Sequence, residues 1–584
     1  MTVAYRWPLG STGHSVAWLF FKSIFDTVYF LKMLRFLLFT ALLIPAIVCR
    51  SQEGQPVQKN FVVPVVKERS YTSLIRLAVS CRGGTAAPFL KQITLEISAA
   101  TDLEMLGTLK VYGNTDSTYL TEEKALHEGL YGVADLARAK SRSVLINGNF
   151  RLAEGINYIW VGLSLKPSAV VGQKIGLRIS GLTVNNKKWK APSSPFATFR
   201  IAGALRQMMQ DHVHTSRIPG LATARNGDLL AIYDARYQSR RDLQGDIDIG
   251  LSRSVDKGNS WLPMQSVIDK GKWGGLPQKF NGVSDPSILV DERTGTIFIA
   301  GLWMHGVLDA KGRWIEGLTD SSNNWNHQWR ARGSQPGYGV KQTAQFLLVK
   351  STDNGKTWSE PVNLTRMCKK EEWWLWAPAP GRGITMKDGT LVFPTQGRDA
   401  TGKAFSNITY SKDGGKTWVT SNPATEISTT ECAAVQLSDG AIMLNMRTNA
   451  NKGITGEGNG RAVAVTHDLG KTWVAHKTSR NALPEPVCMA SLYKHTYTTK
   501  NGGKKNILLF VNPDSKTRRD HITLKVSYDD GNSWPPEKFI ELDELSGSGY
   551  SCITSVDNDH IGIVYEGSQA QLVFEKINVQ EITD

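Results

Sequence analysis

The sequence predicts an all-β protein in two parts, a β-sandwich over residues 56–205 followed by a β-propeller over residues 206–584. Three observations predict it: an eight-residue pattern that recurs five times, strand-like alternation upstream of the first copy, and a composition with 17 Trp and 54 Gly. Long chains of short strands and tight turns favour such architectures.

The copies read SVDKGNSW from Ser254, STDNGKTW from Ser351, SKDGGKTW from Ser411, THDLGKTW from Thr466 and SYDDGNSW from Ser527. Their starts lie 97, 60, 55 and 61 residues apart. That spacing is too long for a solenoid repeat of ~20 to 45 residues. In each copy the Asp side chain can accept backbone N–H groups and the Gly supplies the positive φ of a tight turn. The closing Trp is an apolar anchor for packing the turn on its own sheet. Strand-like runs precede the copies, TAQFLLVK before Ser351, AVAV before Thr466 and HITLKV before Ser527. Each unit is therefore about four short strands, the size of a propeller blade. One Asp per copy is too few oxygen ligands for a calcium loop.

Residues 56–205 lack the pattern but alternate as strands do, in QITLEIS, GTLKVYG, INYIWVGLSL and KIGLRISGLTV. Nothing in that segment carries chemistry by itself. Residues 1–55 read as a targeting segment, with Met33 an alternative start. From Met33 the run MLRFLLFTALLIPAIVCRSQEG has a basic start, a short apolar stretch and a polar end, as secretory signals do. The apolar stretch is short of the ~20 residues that span a membrane. Cys49 would allow lipidation after cleavage, although Val48 is bulkier than the Gly or Ala usual there. Export to a periplasmic, outer-membrane-associated or secreted location is the expectation, with membrane contact only through such a lipid.

The chain carries a net charge of +15, but its Lys and Arg are scattered and accompany no zinc-ligand or RNA-binding motif. That argues against a nucleic-acid partner and leaves an anionic small substrate or a plain basic surface. The six Cys show no CxxC spacing, so neither a metal site nor a redox motif is expected. No cofactor is expected.

Between the repeats stand SRIPG at 216–220, AIYDARYQSRRDLQGDIDIGLSRS at 231–254, TTECAAVQLSDGAIMLNMR at 429–447, NPDSKTRRDHITLK at 512–525 and SGYSC at 548–552. In this order, with these repeats, the chain resembles the sialidases, and most closely the two-domain exo-α-sialidases of the Bacteroides type. The repeats resemble that family's Asp-boxes. The resemblance runs from about residue 60 to the end. It implies six blades, one without a recognisable box, and an N-terminal sandwich that is carbohydrate-associated. The implied substrates are sialylated glycans of glycoproteins, glycolipids and oligosaccharides.

Sialic acid carries a carboxylate on its anomeric carbon, and Arg holds such a group with a fork of donors. By similarity Arg217, Arg447 and Arg519 form the family's arginine triad, with Arg518 the rival for the third place. An acidic nucleophile would approach like charge, which explains the tyrosine nucleophile of sialidases. Tyr550 in GYSC matches it, and Glu431 in TTEC matches the base that takes its proton. Asp242, six residues after Arg236, matches the acid/base that protonates the leaving oxygen. Asp246 and Asp248 alternate on the following strand and read as structural. Arg236 and Asp285 match pocket residues near the 4-hydroxyl and N-acetyl groups. Asp234 and Glu566 match orienters of pocket arginines, a role that a buried ion pair without substrate contact would share.

Two places depart from the family. Ser216 stands where Phe is common, which removes an apolar contact. WWLWAPAPGRGI at 373–384 is rich in Trp, either as a packed loop or as a cleft rim able to stack on the penultimate sugar. The implied activity is retaining exo-hydrolysis through a tyrosyl intermediate. Transfer to a sugar acceptor, intermolecular or internal, and binding without catalysis are the alternatives.

Overall fold

The period-two alternation of residues 56–206 becomes two facing sheets, each burying one side of its strands. The computed structural model describes residues 56–583 apart from 83–86, 139, 140, 193, 244 and 325–332. The targeting run and Cys49 lie outside the described residues. One sheet holds Val57–Asn60, Thr72–Cys81, Gly155–Leu165, Leu106–Asn114 and Leu130–Asp135 in that spatial order. The other includes Ser143–Arg151, Phe89–Ile97, Lys174–Val184 and Ala197–Arg206. Leu77, Ile93, Trp160 and Ile179 belong to a single buried core here.

Five further sheets form blades one to five of the propeller, and the sixth blade continues the second sandwich sheet. Blades one to five begin at Thr215, Val283, Leu375, Thr429 and Ser491, and each continues outward as an antiparallel meander. Blade six takes only three strands from the carboxyl-terminal segment, Ser551–Ser555, His560–Tyr565 and Leu572–Asn578. Its fourth strand is Ala197–Arg206, where Gly203 pairs with Phe574 and Ala204 with Val573. The first half of that strand, Ala197 to Arg200, pairs instead with Leu177 to Lys174 of the sandwich. One strand therefore serves both parts, and the divide expected at 205/206 falls at its end instead of in a linker.

All five boxes sit in the turn between the third and fourth strands of blades one to five. Blade six has no such turn, because its fourth strand arrives from the other end of the propeller segment. That is why it has no box. The long first interval reflects residues 304–344, inserted between the second and third strands of blade two.

Within a box the Asp organises the turn. Asp256 accepts from the Ser254 and Ser260 hydroxyls at 2.8 and 2.6 Å and from Ser260 N at 2.9 Å, and Ser254 Oγ accepts from Gly258 N at 2.8 Å. The other four copies repeat this set. Donation from Thr472 N and its hydroxyl brings the Asp468 carboxyl down to about 2. The residue before the Gly is left-handed too, in the pairs Lys257/Gly258, Asn354/Gly355, Gly414/Gly415, Leu469/Gly470 and Asp530/Gly531.

The boxes also join blades, beyond the expected packing on their own sheet. A Cβ on Gly415 would lie 2.6 Å from the Phe298 ring of blade two, and one on Gly531 would lie 3.0 Å from Met443 of blade four. Trp261 meets Phe574 of blade six edge-on at 5.2 Å. Trp418 touches Phe393 of its own blade at 5.4 Å and Phe298 of the preceding one at 5.9 Å.

Gly414 and Gly415 separate the two demands. Both are left-handed, but a Cβ on Gly414 meets nothing within 4 Å. Gly414→Ala should cost about 1 kcal/mol from backbone strain alone. Gly415→Ala should cost about 1 to 3 kcal/mol more, because the ring of Phe298 must move. Urea unfolding of the two variants checks the order.

Candidate active site

The meander decides which residues can meet. The start of a first strand and the end of a second strand lie on one face of the ring, whereas the end of a third strand, with its box, lies on the other. Arg217, Asp285 and Glu431 are near the starts of first strands, and Arg236 and Arg447 near the ends of second strands. Asp242 and Arg519 are in the second-to-third connections of blades one and five, and Tyr550 just precedes the first strand of blade six. All eight therefore share one face.

First strands do more than start there. Those of blades one, two and four shift register between Arg217 and Gly220, Ser284 and Ser287, and Thr429 and Cys432. Bulges of this kind re-aim side chains beside active sites. Ile218 and Asp285 have φ of 59° and 56°, and each precedes a proline, which has no N–H to give to the ladder. The I-P and D-P steps of SRIPG and GVSDPSI were the readable signs of these bulges.

At the centre Tyr550 Oη donates to Glu431 Oε1 at 2.5 Å. Arg447 Nη1 donates to Glu431 Oε2 at 2.7 Å and to Tyr550 Oη at 2.9 Å. Burial pushes the Tyr550 phenol well up, Glu431 adds to that, and Arg447 and Arg519 oppose it. The guanidinium carbons of Arg217 and Arg519 lie 5.6 and 5.5 Å from the Tyr550 ring centre. Arg217 pairs with Glu566 at 2.5 and 3.2 Å, and Glu566 also accepts from Ile218 N and Tyr550 N at 2.8 and 3.0 Å. Burial works against the charge of Arg217, and Glu566 more than restores it.

Arg519 donates to the carbonyls of Ser548 and Val487 at 2.9 and 3.3 Å. Arg518 is 72% exposed and pairs with Asp520. Arg236 bonds Asp234 at 2.8 Å and Asp242 at 2.6 Å. Asp234 is fully buried and also accepts from Ser284 Oγ at 2.6 Å and Asp285 N at 3.0 Å. It holds both Arg236 and the backbone of Asp285. Burial pushes the Asp285 carboxyl well up, and Asp234, Asp242 and Glu431 add to it. Asp242, 64% exposed, stands at the mouth.

Asp242, Asp285, Glu431, Arg447 and Tyr550 line a cavity of about 200 Å³. Its apolar wall comes from Ile218, Leu243 and Leu375. Sequence reasoning missed these, and also Gln396 and Arg398 of blade three, which line the same cavity. Arg398 ends the second strand of its blade, near the level at which Arg236 and Arg447 stand in theirs. The Trp-rich run largely packs inward. Trp376 stacks on Phe346 at 4.3 Å and Trp373 lies against Phe405 at 4.7 Å, both buried, so neither can serve a rim. Ser216 is buried, and its hydroxyl accepts from Arg206 Nε at 3.4 Å. Among the described residues no group of three His, Cys, Asp or Glu could hold a metal ion.

A propeller that gathers guanidinium groups around a paired phenol and carboxylate defines a glycosidase built for an acidic sugar. Residues 218–534 match the BNR repeat-like domain family, and residues 54–188 match the N-terminal domain of BNR-repeat neuraminidase. A sialidase of Bacteroides fragilis is 37% identical over 540 residues, covering 89% of this chain and 94% of its own length. A sialidase of Paraclostridium sordellii is 29% identical over 371 residues, 60% of this chain and 81% of its own. The solved structure of the Hadza microbial sialidase Hz136 superposes with a TM-score of 0.79 at 35% identity, over 90% of this chain and 99% of its own. The chain belongs to the BNR-repeat sialidase family and is a glycoside hydrolase of the exo-sialidase type.

Two measurements test this geometry. Arg519→Ala should lower kcat/KM on a sialoside by about 10- to 100-fold, the worth of a charge-assisted bond. Arg518→Ala should stay within about twofold, as exposed ion pairs do. Asp248 offers a pH test, because burial and Asp269 raise its carboxyl to about 7. A folded value above the ordinary ~3.9 means stability falls as pH rises from about 4 to 7, where only the unfolded chain ionises freely. Asp248→Asn should therefore raise Tm relative to wild type at pH 8 and leave it nearly unchanged at pH 4.

Proposed function

We propose that the protein is a retaining exo-α-sialidase that releases terminal sialic acid from glycoproteins, glycolipids and oligosaccharides through a tyrosyl-enzyme intermediate. The observation that carries this is the 2.5 Å hydrogen bond from Tyr550 to Glu431, with Arg447 donating to both partners. A buried phenol with a raised pKa is a poor nucleophile until its proton has somewhere to go. Glu431 is that acceptor, already in contact.

In the first step Arg217, Arg447 and Arg519 hold the substrate carboxylate. Tyr550 Oη bonds to the anomeric carbon while its proton passes to Glu431. The glycosidic C–O bond breaks, and the leaving oxygen takes a proton from Asp242. In the second step Asp242 removes a proton from water, whose oxygen displaces the phenolate, and Glu431 returns the proton to Tyr550. Two displacements restore the starting configuration. Asp242 suits the acid/base part because its exposure lets it meet both leaving group and solvent. Asp285, whose carboxyl burial pushes well up, serves the 4-hydroxyl and N-acetyl region in this reading, with Arg236 beside it. Export completes the proposal, since sialylated glycans lie outside cells.

Proton NMR during hydrolysis of α2,3- and α2,6-sialyllactose tests it. The α-anomer of free sialic acid should appear first, and the two rates measure linkage preference. First appearance of the β-anomer would overturn retention, and an anhydro sugar or sialic acid moved to added lactose would show a transferase. Tyr550→Phe should lower kcat by at least about 10³-fold, roughly 4 kcal/mol of barrier.

A further inference from the structure

A second cavity, of about 620 Å³, opens where the sandwich meets the propeller. Its size falls among ligand clefts of ~300 to 1,000 Å³. It is on the face that bears the active site, because Ser216, Arg217 and the 566–571 connection of blade six line it. Arg217 and Glu566 stand between it and Tyr550. Arg240, on its rim, is two residues before Asp242. One guanidinium ties the two together, since Arg236 donates to Arg240 O at 3.0 Å and to Asp242 Oδ1 at 2.6 Å.

The sandwich supplies part of the wall. Arg69 pairs with Glu122 at 3.1 Å and donates to Gln569 O of blade six. Ser70 adds two bonds to Glu122, from N at 2.7 Å and from Oγ at 2.6 Å. The opposite rim is the segment that leaves the shared strand. There Met209, Asp211 and His212 all have positive φ, at 63°, 54° and 62°. Arg206 clamps the segment through Asp211 at 2.5 Å and Gln210 O at 2.8 Å. Left-handed residues without glycine cost stability and persist only where surroundings enforce them. What the segment presents is Met208, 59% exposed on the cavity edge.

Two of the three guanidinium groups lining this cavity are compensated within it, Arg69 by Glu122 and Arg217 by Glu566, and the third, Arg240, is exposed to solvent on the rim. Such a wall favours a neutral, hydroxyl-rich ligand over a second anion. An exposed thioether beside it supplies an adaptable apolar contact for the C–H face of a sugar.

We infer that this cavity is the leaving-group subsite, holding the neutral hexose from which sialic acid is cleaved, and that the N-terminal sandwich forms part of it. The inference rests on the hydrolase reading above. Asp242 protonates the oxygen shared by the two sugars, so the second sugar must emerge on the Asp242 side, where Arg240 begins the cavity rim.

The test uses the full chain and Met208→Ala, a change at an exposed side chain. Three quantities are read: KM for α2,3-sialyllactose, the Ki of 2-deoxy-2,3-didehydro-sialic acid, which has no leaving group, and saturation-transfer NMR of lactose with that glycal bound. The variant should raise KM and weaken the lactose signal roughly fivefold, with the glycal Ki within about twofold. Equal effects on sialyllactose and glycal, or no effect on either, would overturn the inference. So would a wild-type protein that shows no lactose signal. Failure of the hydrolase reading is separate: sialyllactose would remain intact while lactose and glycal still bound, and the lactose signal would still decide the subsite.

Discussion

Several guanidinium groups converge in one largely buried site, where they repel one another and burial opposes their charge. The structure resolves this by giving each cation its own acceptor. Arg217 has Glu566, Arg447 has Glu431, Arg236 has Asp234, and Arg519 has two backbone carbonyls. The acceptors are not passive. Glu566 also takes the backbone N–H groups of Ile218 and Tyr550, so one carboxylate fixes an arginine and the proposed nucleophile relative to each other. Glu431 neutralises Arg447 and accepts the Tyr550 hydrogen bond in the same geometry.

This arrangement exists only if the ring closes. Tyr550 and Glu566 belong to the last blade and Arg217 to the first, more than 300 residues apart in sequence. The strand Ala197–Arg206 completes the last blade and then leads directly into the first. Because the same strand is an element of the sandwich sheet, the two parts share hydrogen-bonded backbone. A sandwich joined by a free linker could drift. One joined by a strand holds Arg69 and Glu122 at a set place beside the site.

Stability and chemistry are divided between the two faces. The boxes spend no catalytic groups; they lock third-to-fourth turns and press a glycine against the preceding blade. Loops on the opposite face are thereby free to vary, as the insertion at 304–344 shows. Behind Arg447 a wholly buried pair, Arg461 and Glu485 at 2.6 Å, accepts Thr448 N and so steadies the end of that strand.

The sequence by itself determined the all-β class, the repeat unit and the identity of the chemical groups, because each of these depends on short-range rules. A Ser/Thr-x-Asp-x-Gly turn closes through bonds within five residues, and strand alternation needs only its own pleat. Tyr550, Glu431, Asp242 and the arginines could be named from local motifs that resemble a known family. What only the tertiary structure decided is where those groups point and what surrounds them. The bulges at Arg217, Asp285 and Glu431 arise from pairing with a neighbouring strand, so their effect on side-chain direction is not written in either strand alone. The choice between Trp373 and Trp376 as core or rim depended on Phe405 and Phe346, contributed by other strands. Arg398, Leu375 and the cavity beside Met208 were not legible for the same reason: each is defined by the closed ring and the shared strand, and such long-range contacts leave no local pattern to read.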